Sequence, residues 1–173
     1  MDPVQAYISA GSNLGDRQGH LRYALRELER AGDALVASPC YETEPVGCGD
    51  QPWFLNMAVG LQTRLGPREL LRLCQQIEAD RGRARPFPNA PRTLDLDILF
   101  YGSAVIREAD LFIPHPRLAC RRFVLEPMAR IAPEFLHPVL RKSMRSLLEE
   151  CPDGSRVRRC RKMQKQPPKA PAI

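Results

Sequence analysis

Apolar and polar positions along this chain follow two alternating periods. Ala6 to Ser12 has the pattern of a strand and runs into a glycine-punctuated turn, Gly11-Ser12-Asn13-Leu14-Gly15. Asp16 then opens a helix carrying Leu21, Ala24, Leu25 and Leu28 at i, i+3, i+4 and i+7, the spacing of one helical face. Leu35 to Thr43 and Phe54 to Thr63 predict two strands separated by a loop of Pro, Gly and Asp. Pro67 suits the first position of a second helix, with Leu70, Leu71, Cys74 and Ile77 turned inward. Between Gly82 and Pro91 three prolines remove donors and fix φ, so neither a helix nor a central strand is expected there. Thr93 to Tyr101 predicts the next strand.

The order βαββαβ is that of a ferredoxin-like α+β sandwich, an antiparallel sheet covered on one face by two helices. Past Gly102 a short hairpin and two helices, near Arg122 to Ile131 and Ser143 to Cys151, are expected to cover more of the sheet. With 173 residues, 43% of them apolar, one domain and one core are expected over residues 1–151. The first residues lack a basic segment followed by a long apolar one, and no stretch approaches the roughly 20 apolar residues that span a bilayer. A cytoplasmic protein without a membrane partner is expected.

The net charge of +6 raises the question of a nucleic-acid partner, and its distribution answers it. Residues 152–173 hold seven cations (Arg156, Arg158, Arg159, Arg161, Lys162, Lys165, Lys169) against Asp153, and so carry the whole excess. Residues 1–151 are neutral. This tail, rich in Arg, Lys and Pro, is expected to be disordered, and no nucleic-acid function is expected of the body. The six cysteines form no CxxC pair and are expected to be free thiols.

The chemistry concentrates in Thr93-Leu94-Asp95-Leu96-Asp97-Ile98. On a strand successive side chains point to opposite faces, so Leu94, Leu96 and Ile98 share one face while Asp95 and Asp97 share the other. Two carboxylates on residues about 7 Å apart are placed to hold one hard cation or bridge two. Alone, such a pair more often marks an edge strand with a solvated acidic face. Just upstream, Arg81, Arg83, Arg85 and Arg92 alternate with small residues and prolines, and carboxylates beside guanidinium groups suit a polyphosphate with its magnesium.

Other features carry less. The turn from Gly11 to Gly15 lacks the Lys-Ser/Thr ending of a P-loop and is read as a tight strand-to-helix turn. His115, between Pro114 and Pro116, is presented from a stiff extended backbone, although a lone histidine is commonly structural. Tyr41, Thr43, Val46, Trp53, Phe54 and Asn56 mix flat aromatic surface with an amide that both donates and accepts, which suits a planar heterocycle as well as an ordinary core.

Taken in order, Ala10-Gly11-Ser12-Asn13-Leu14-Gly15-Asp16, Tyr41-x-Thr43-x-Pro45-x-Gly47, Gln51-x-x-Phe54-x-Asn56, Pro91-Arg92-Thr93-Leu94-Asp95-Leu96-Asp97, Pro114-His115 and Arg121-x-Phe123 resemble the 6-hydroxymethyl-7,8-dihydropterin pyrophosphokinases, over about residues 5–137. The resemblance implies transfer of pyrophosphate from ATP to the hydroxymethyl group of a reduced pterin, with release of AMP, in folate biosynthesis. It implies two Mg2+ ions on Asp95 and Asp97, and catalytic roles for Arg83, Arg92 and Asp97, with Arg83 and Arg92 reaching the phosphates from a mobile loop. Thr43, Val46, Phe54, Asn56 and Phe123 would hold the pterin, the two phenylalanines sandwiching its ring. Gln75, Glu78, Arg85, Arg92, Ile98, His115 and Arg121 would line the ATP site. A monomer is expected.

The chain departs from the family at three places. Asn89-Ala90 stands where many members have Trp-Gly, leaving Phe87 as the nearest aromatic residue, and Asp110 and Phe112 replace an arginine and a threonine that often meet the nucleotide. Two other readings compete. One is a nucleic-acid module working through the basic tail. The other is a different two-metal nucleotide enzyme on the same scaffold.

Overall fold

The computed structural model describes residues 1–47 and 49–161. Strand β1 (Val4–Ser12) lies between β4 (Phe54–Thr63) and β5 (Asp95–Tyr101), antiparallel to both. The helices α1 (Arg17–Arg30) and α2 (Pro67–Asp80) supply the two crossovers of the expected α+β sandwich. Asp16 caps α1, its carboxylate accepting the Gly19 N–H at 3.0 Å, and Pro67 is the first residue of α2.

The strand expected from Leu35 to Thr43 is two strands, β2 (Ala34–Ala37) and β3 (Tyr41–Thr43), both paired with β4. Pro39 is the cause, having no N–H for the ladder. At the break, Ser38 bonds Ala58 twice: its N–H reaches the Ala58 carbonyl at 2.9 Å and its hydroxyl accepts the Ala58 N–H at 2.9 Å.

Helices cover both faces of the sheet. Against α1 and α2 lie Ala6, Ile8 and Ala10 of β1, Leu55, Met57, Val59 and Leu61 of β4, and Leu96 and Ile98 of β5. Leu21, Ala24, Leu28, Leu70, Cys74 and Ile77 are buried as their spacing requires, while Leu25 and Leu71 are only partly covered. After the hairpin of β6 (Ile106–Glu108) and β7 (Leu111–Ile113), α3 (Arg122–Ile131) and α4 (Met144–Glu149) pack on the other face, where Val124, Leu125, Met128, Met144 and Leu147 meet Ala58, Leu99 and Phe100. A bulge makes that second core possible. The register passes from Ile8 opposite Ile98 to Tyr7 opposite Phe100, so Leu99 is extra and both Leu99 and Phe100 turn toward α3.

The tail is not structureless from residue 152. Val157–Arg159 forms β8, which pairs with β3 at the sheet edge and gives the order β5-β1-β4-β3-β8. Backbone pairing holds this segment where apolar burial does not, and composition is blind to it. Residues 162–173 of the expected tail lie outside the described residues. Among the described residues, no helix is long and apolar enough to cross a membrane.

Candidate active site

Period-2 alternation places Asp95 and Asp97 on the α3 side of β5, opposite Gly11 and Ser9 of β1. Helix α3 covers only part of that face, and the uncovered part is the floor of a cavity of about 440 Å³. Its walls include Thr43, Val46, Phe54, Asn56, Arg92, Arg121 and Phe123, so every expected pterin residue, both carboxylates and two expected ATP residues meet there. Gly11 is required by close approach: a Cβ on it would lie 2.4 Å from Asn56 Oδ1. Asn56 is buried and its Nδ2 donates to Thr43 Oγ1 at 2.7 Å, so the Thr43 hydroxyl keeps its own proton to donate. The Arg92 guanidinium lies over Phe54 and that of Arg121 over Phe123, each 5.5 Å from the ring centre.

The remaining predicted residues lie outside this cavity. Strand β5 is a sheet edge, with backbone groups that no neighbouring strand satisfies. Glu78, buried at the end of α2, accepts the Leu96 N–H at 2.8 Å, and Arg83 donates to the Leu94 carbonyl at 2.7 Å. These two side chains close the open edge. Gln75 is exposed one turn earlier on α2, Arg85 is exposed with Nη2 3.8 Å from Glu78 Oε2, and Ile98 packs in the α1/α2 core. His115 lines a neighbouring, smaller cavity with Phe112. Phe87, 57% exposed, does not line the main cavity, whereas Asn89 does.

Charge is arranged unevenly around the two aspartates. Asp95 spends both oxygens on guanidinium groups, Oδ1 on Arg83 and Oδ2 on Arg92, each at 2.9 Å. Burial pushes its carboxyl up, and the two arginines outweigh that and hold it below the usual range. For Asp97, burial and then the charge of Asp95 push the carboxyl up to about 7. Burial also raises Glu78, and burial with the charges of Arg121 and Arg117 lowers His115 to about 4. His115 Nδ1 accepts the Arg117 N–H at 3.2 Å.

Among the described residues, no three His, Cys, Asp or Glu side chains are grouped to hold a metal by themselves. Two carboxylates suffice for magnesium, which keeps several waters and completes its shell with substrate phosphates. The neutralisation that Asp97 lacks is what a cation beside the pair would supply.

Three contributors escaped the sequence reading. Asn13 joins three segments: its Oδ1 accepts the Arg92 N–H at 2.8 Å, its N–H reaches the Arg92 carbonyl at 3.0 Å, and its Nδ2 donates to Gln51 Oε1 at 3.0 Å. Gln51 in turn donates to the Asn89 carbonyl at 2.7 Å. The signal was a buried amide inside a turn read only as a turn. Arg117 and Glu44 line the cavity mouth, and nothing in their local pattern sets them apart from surface charge.

Comparison with known proteins gives the family. The family model for 7,8-dihydro-6-hydroxymethylpterin-pyrophosphokinase matches residues 7–133. The 2-amino-4-hydroxy-6-hydroxymethyldihydropteridine pyrophosphokinase of Bacillus subtilis is 50% identical over 128 residues, covering 73% of this chain and 77% of its own. The mitochondrial folate synthesis bifunctional protein of Arabidopsis thaliana is 49% identical over 125 residues, 72% of this chain but 23% of that protein. In fold, the chain is similar to the HPPK-DHPS protein of Plasmodium falciparum, with a TM-score of 0.69, 18% identity, and coverage of 86% of this chain and 43% of that one.

Proposed function

Because the chain belongs to the 7,8-dihydro-6-hydroxymethylpterin-pyrophosphokinase family, we propose that the cavity over Asp95 and Asp97 is where its reaction takes place. The chain is an ATP-dependent pyrophosphokinase, transferring pyrophosphate from ATP to the hydroxymethyl group of 6-hydroxymethyl-7,8-dihydropterin in folate biosynthesis. One observation supports this placement above the others. The paired carboxylates, the flanking guanidinium groups of Arg92 and Arg121, and the rings of Phe54 and Phe123 line a single cavity.

In this reading the pterin lies between Phe54 and Phe123, with its polar edge against Thr43 and Asn56 and its hydroxymethyl group toward the aspartates. The hydroxyl oxygen attacks the β-phosphorus in line and AMP leaves. Asp97, with a carboxyl near neutrality, accepts a hydrogen bond from the attacking hydroxyl. Arg92 and Arg121 follow the charge that develops on the phosphate oxygens. Arg83 reaches the phosphates by leaving Asp95, an exchange of one anionic partner for another. Magnesium would be held by Asp95 and Asp97, two ions on the family pattern, and would neutralise the triphosphate. Gln75, Glu78, Arg85, Ile98 and His115 are assigned to the nucleotide, outside the pterin cavity. The enzyme is read as a cytoplasmic monomer acting on small molecules.

Isothermal titration with a non-hydrolysable ATP analogue and magnesium, with and without 6-hydroxymethylpterin, tests the placement. Pterin binding should be lost in Phe54→Ala and metal-dependent nucleotide binding in Asp97→Asn. Undiminished binding in both variants would move the site elsewhere. In the described part of the tail, Arg156 and Arg158 lie against the Trp53 ring at 4.9 and 4.7 Å and pair with Glu44 and Glu42.

A further inference from the structure

We infer that Asp153, beyond the last helix, is a positioning residue that holds the start of α3, and with it Arg121 and Phe123, in the geometry the pterin requires. The inference rests on the placement of the pterin proposed above.

Helix α3 begins without a cap of its own. Arg121 occupies the cap position but its side chain makes no capping hydrogen bond, and it lines the cavity instead. The first turn of a helix leaves N–H groups that need an acceptor. Asp153 supplies one from 31 residues away: its Oδ2 accepts the Arg122 N–H at 3.0 Å, and its backbone carbonyl accepts Arg122 Nε at 2.9 Å. Its other oxygen accepts the Ser155 N–H at 2.9 Å. A carboxylate at this end also meets the positive pole of the helix. Burial pushes the Asp153 carboxyl up, and the donors from Ser155 and Arg122 more than reverse that. Asp16 does the same for α1 from the adjacent position; for α3 that position is occupied by an arginine the cavity uses.

From Asp153 the chain crosses to the opposite wall. The Arg156 N–H donates to Glu44 Oε2 at 3.0 Å, the Glu44 N–H donates to the Arg156 carbonyl at 3.1 Å, and Val157 pairs with Thr43. Thr43 and Glu44 line one side of the cavity, Arg121 and Phe123 the other. Residues 153–157 are therefore a strap of fixed length between the two walls. Its far end lies on Trp53, the only tryptophan in the chain, which gives the strap an optical reporter.

The experiment uses the full chain with Asp153→Ala, Asp153→Asn and, as a control outside the strap, Phe54→Ala. Steady-state kinetics with each substrate varied are combined with Trp53 emission and thermal melts. Loss of a cap of this kind corresponds to about a tenfold change in an equilibrium. Asp153→Ala should raise KM for the pterin about tenfold through Phe123, raise KM for ATP less, by about threefold through Arg121 at the same helix start, and shift Trp53 emission toward that of solvated indole. Asp153→Asn should recover most of the pterin KM, because asparagine caps helices about as well as aspartate. Equal loss toward both substrates, or no recovery in Asp153→Asn, would reduce Asp153 to general support of the fold and overturn the inference. So would an unchanged pterin KM in Asp153→Ala while Phe54→Ala raises it. If Phe54→Ala leaves the pterin KM unchanged as well, the pterin placement is at fault and the inference falls with it.

Discussion

On the side of the cavity assigned to the pterin, Thr43 and Asn56 are buried, share one neutral hydrogen bond, and are set by the register of β3, β4 and β1. On the side assigned to the phosphates, Asp95 is already satisfied by Arg83 and Arg92, and Arg83 also serves the Leu94 carbonyl and lies 3.7 Å from Glu78. The first side is ready for a ligand as it stands. The second must exchange partners, because its charges neutralise one another until a polyphosphate and its cations arrive. Variants on the phosphate side should therefore act on kcat and on stability together or in opposition, and variants on the pterin side on KM for one substrate.

The largest effect is expected at Asp97. Asp97→Asn should lower kcat roughly 10³-fold, the scale of removing a charge aimed at the transition state, without lowering Tm. The wild-type carboxyl is disfavoured as an anion by burial and by Asp95, so a neutral amide costs the fold nothing. Stopped-flow turnover and a thermal melt on the same preparation check both halves; near wild-type kcat at saturating magnesium would remove Asp97 from the mechanism.

Arg83→Ala should move both quantities downward. With the Arg83 side chain only 10% exposed, its loss leaves Asp95 with Arg92 alone and takes the side-chain donor from the Leu94 carbonyl, at a cost of about 3 kcal/mol. It should also lower kcat about 100-fold while weakening ATP binding much less. Arg83→Lys should restore part of the stability and little of the rate, since an ammonium has no bidentate fork. Urea unfolding with single-turnover kinetics tests this, and a pure KM effect would contradict the exchange of partners.

Gly11→Ala probes the pterin side. The added methyl group meets Asn56 Oδ1 and pushes the amide off Thr43, so KM for the pterin should rise about tenfold, the scale of one hydrogen bond, with KM for ATP unchanged. Equal changes in both constants would show that the two sides are not separable.

The last effect concerns pH and leaves turnover aside. His115 has a folded pKa of about 4, below its ordinary 6.5, so between those values the unfolded chain binds more protons than the folded one. Its contribution to stability is full above about pH 6.5 and is lost as pH falls toward 4. His115→Gln should flatten the Tm profile in that window and leave it unchanged above. A profile of unchanged slope would place the acid sensitivity in other groups.

Where local pattern suffices, the sequence was legible. Alternation alone put Asp95 and Asp97 on one face, the i, i+3, i+4 spacing picked the buried side of α1 and α2, and Asp16 and Pro67 marked helix starts, because each depends on neighbours within one or two turns. Thr43 and Asn56 stood out only as part of a polar and aromatic loop, and the family resemblance added Phe123, which no local period singles out. What tertiary structure decided involves partners far apart in the chain. Glu78 and Arg83 close the free edge of β5 only because β5 is the outermost strand. The extra residue at Leu99 turns both Leu99 and Phe100 toward α3 only through its register with β1. Asn13 clasps two loops only once they are folded together, and residues 152–161, which composition marks as unstructured, are held by backbone bonds to β3 and by the open end of α3. An unpaired backbone donor or acceptor selects its partner by position in space, and position in space is what a linear pattern does not contain.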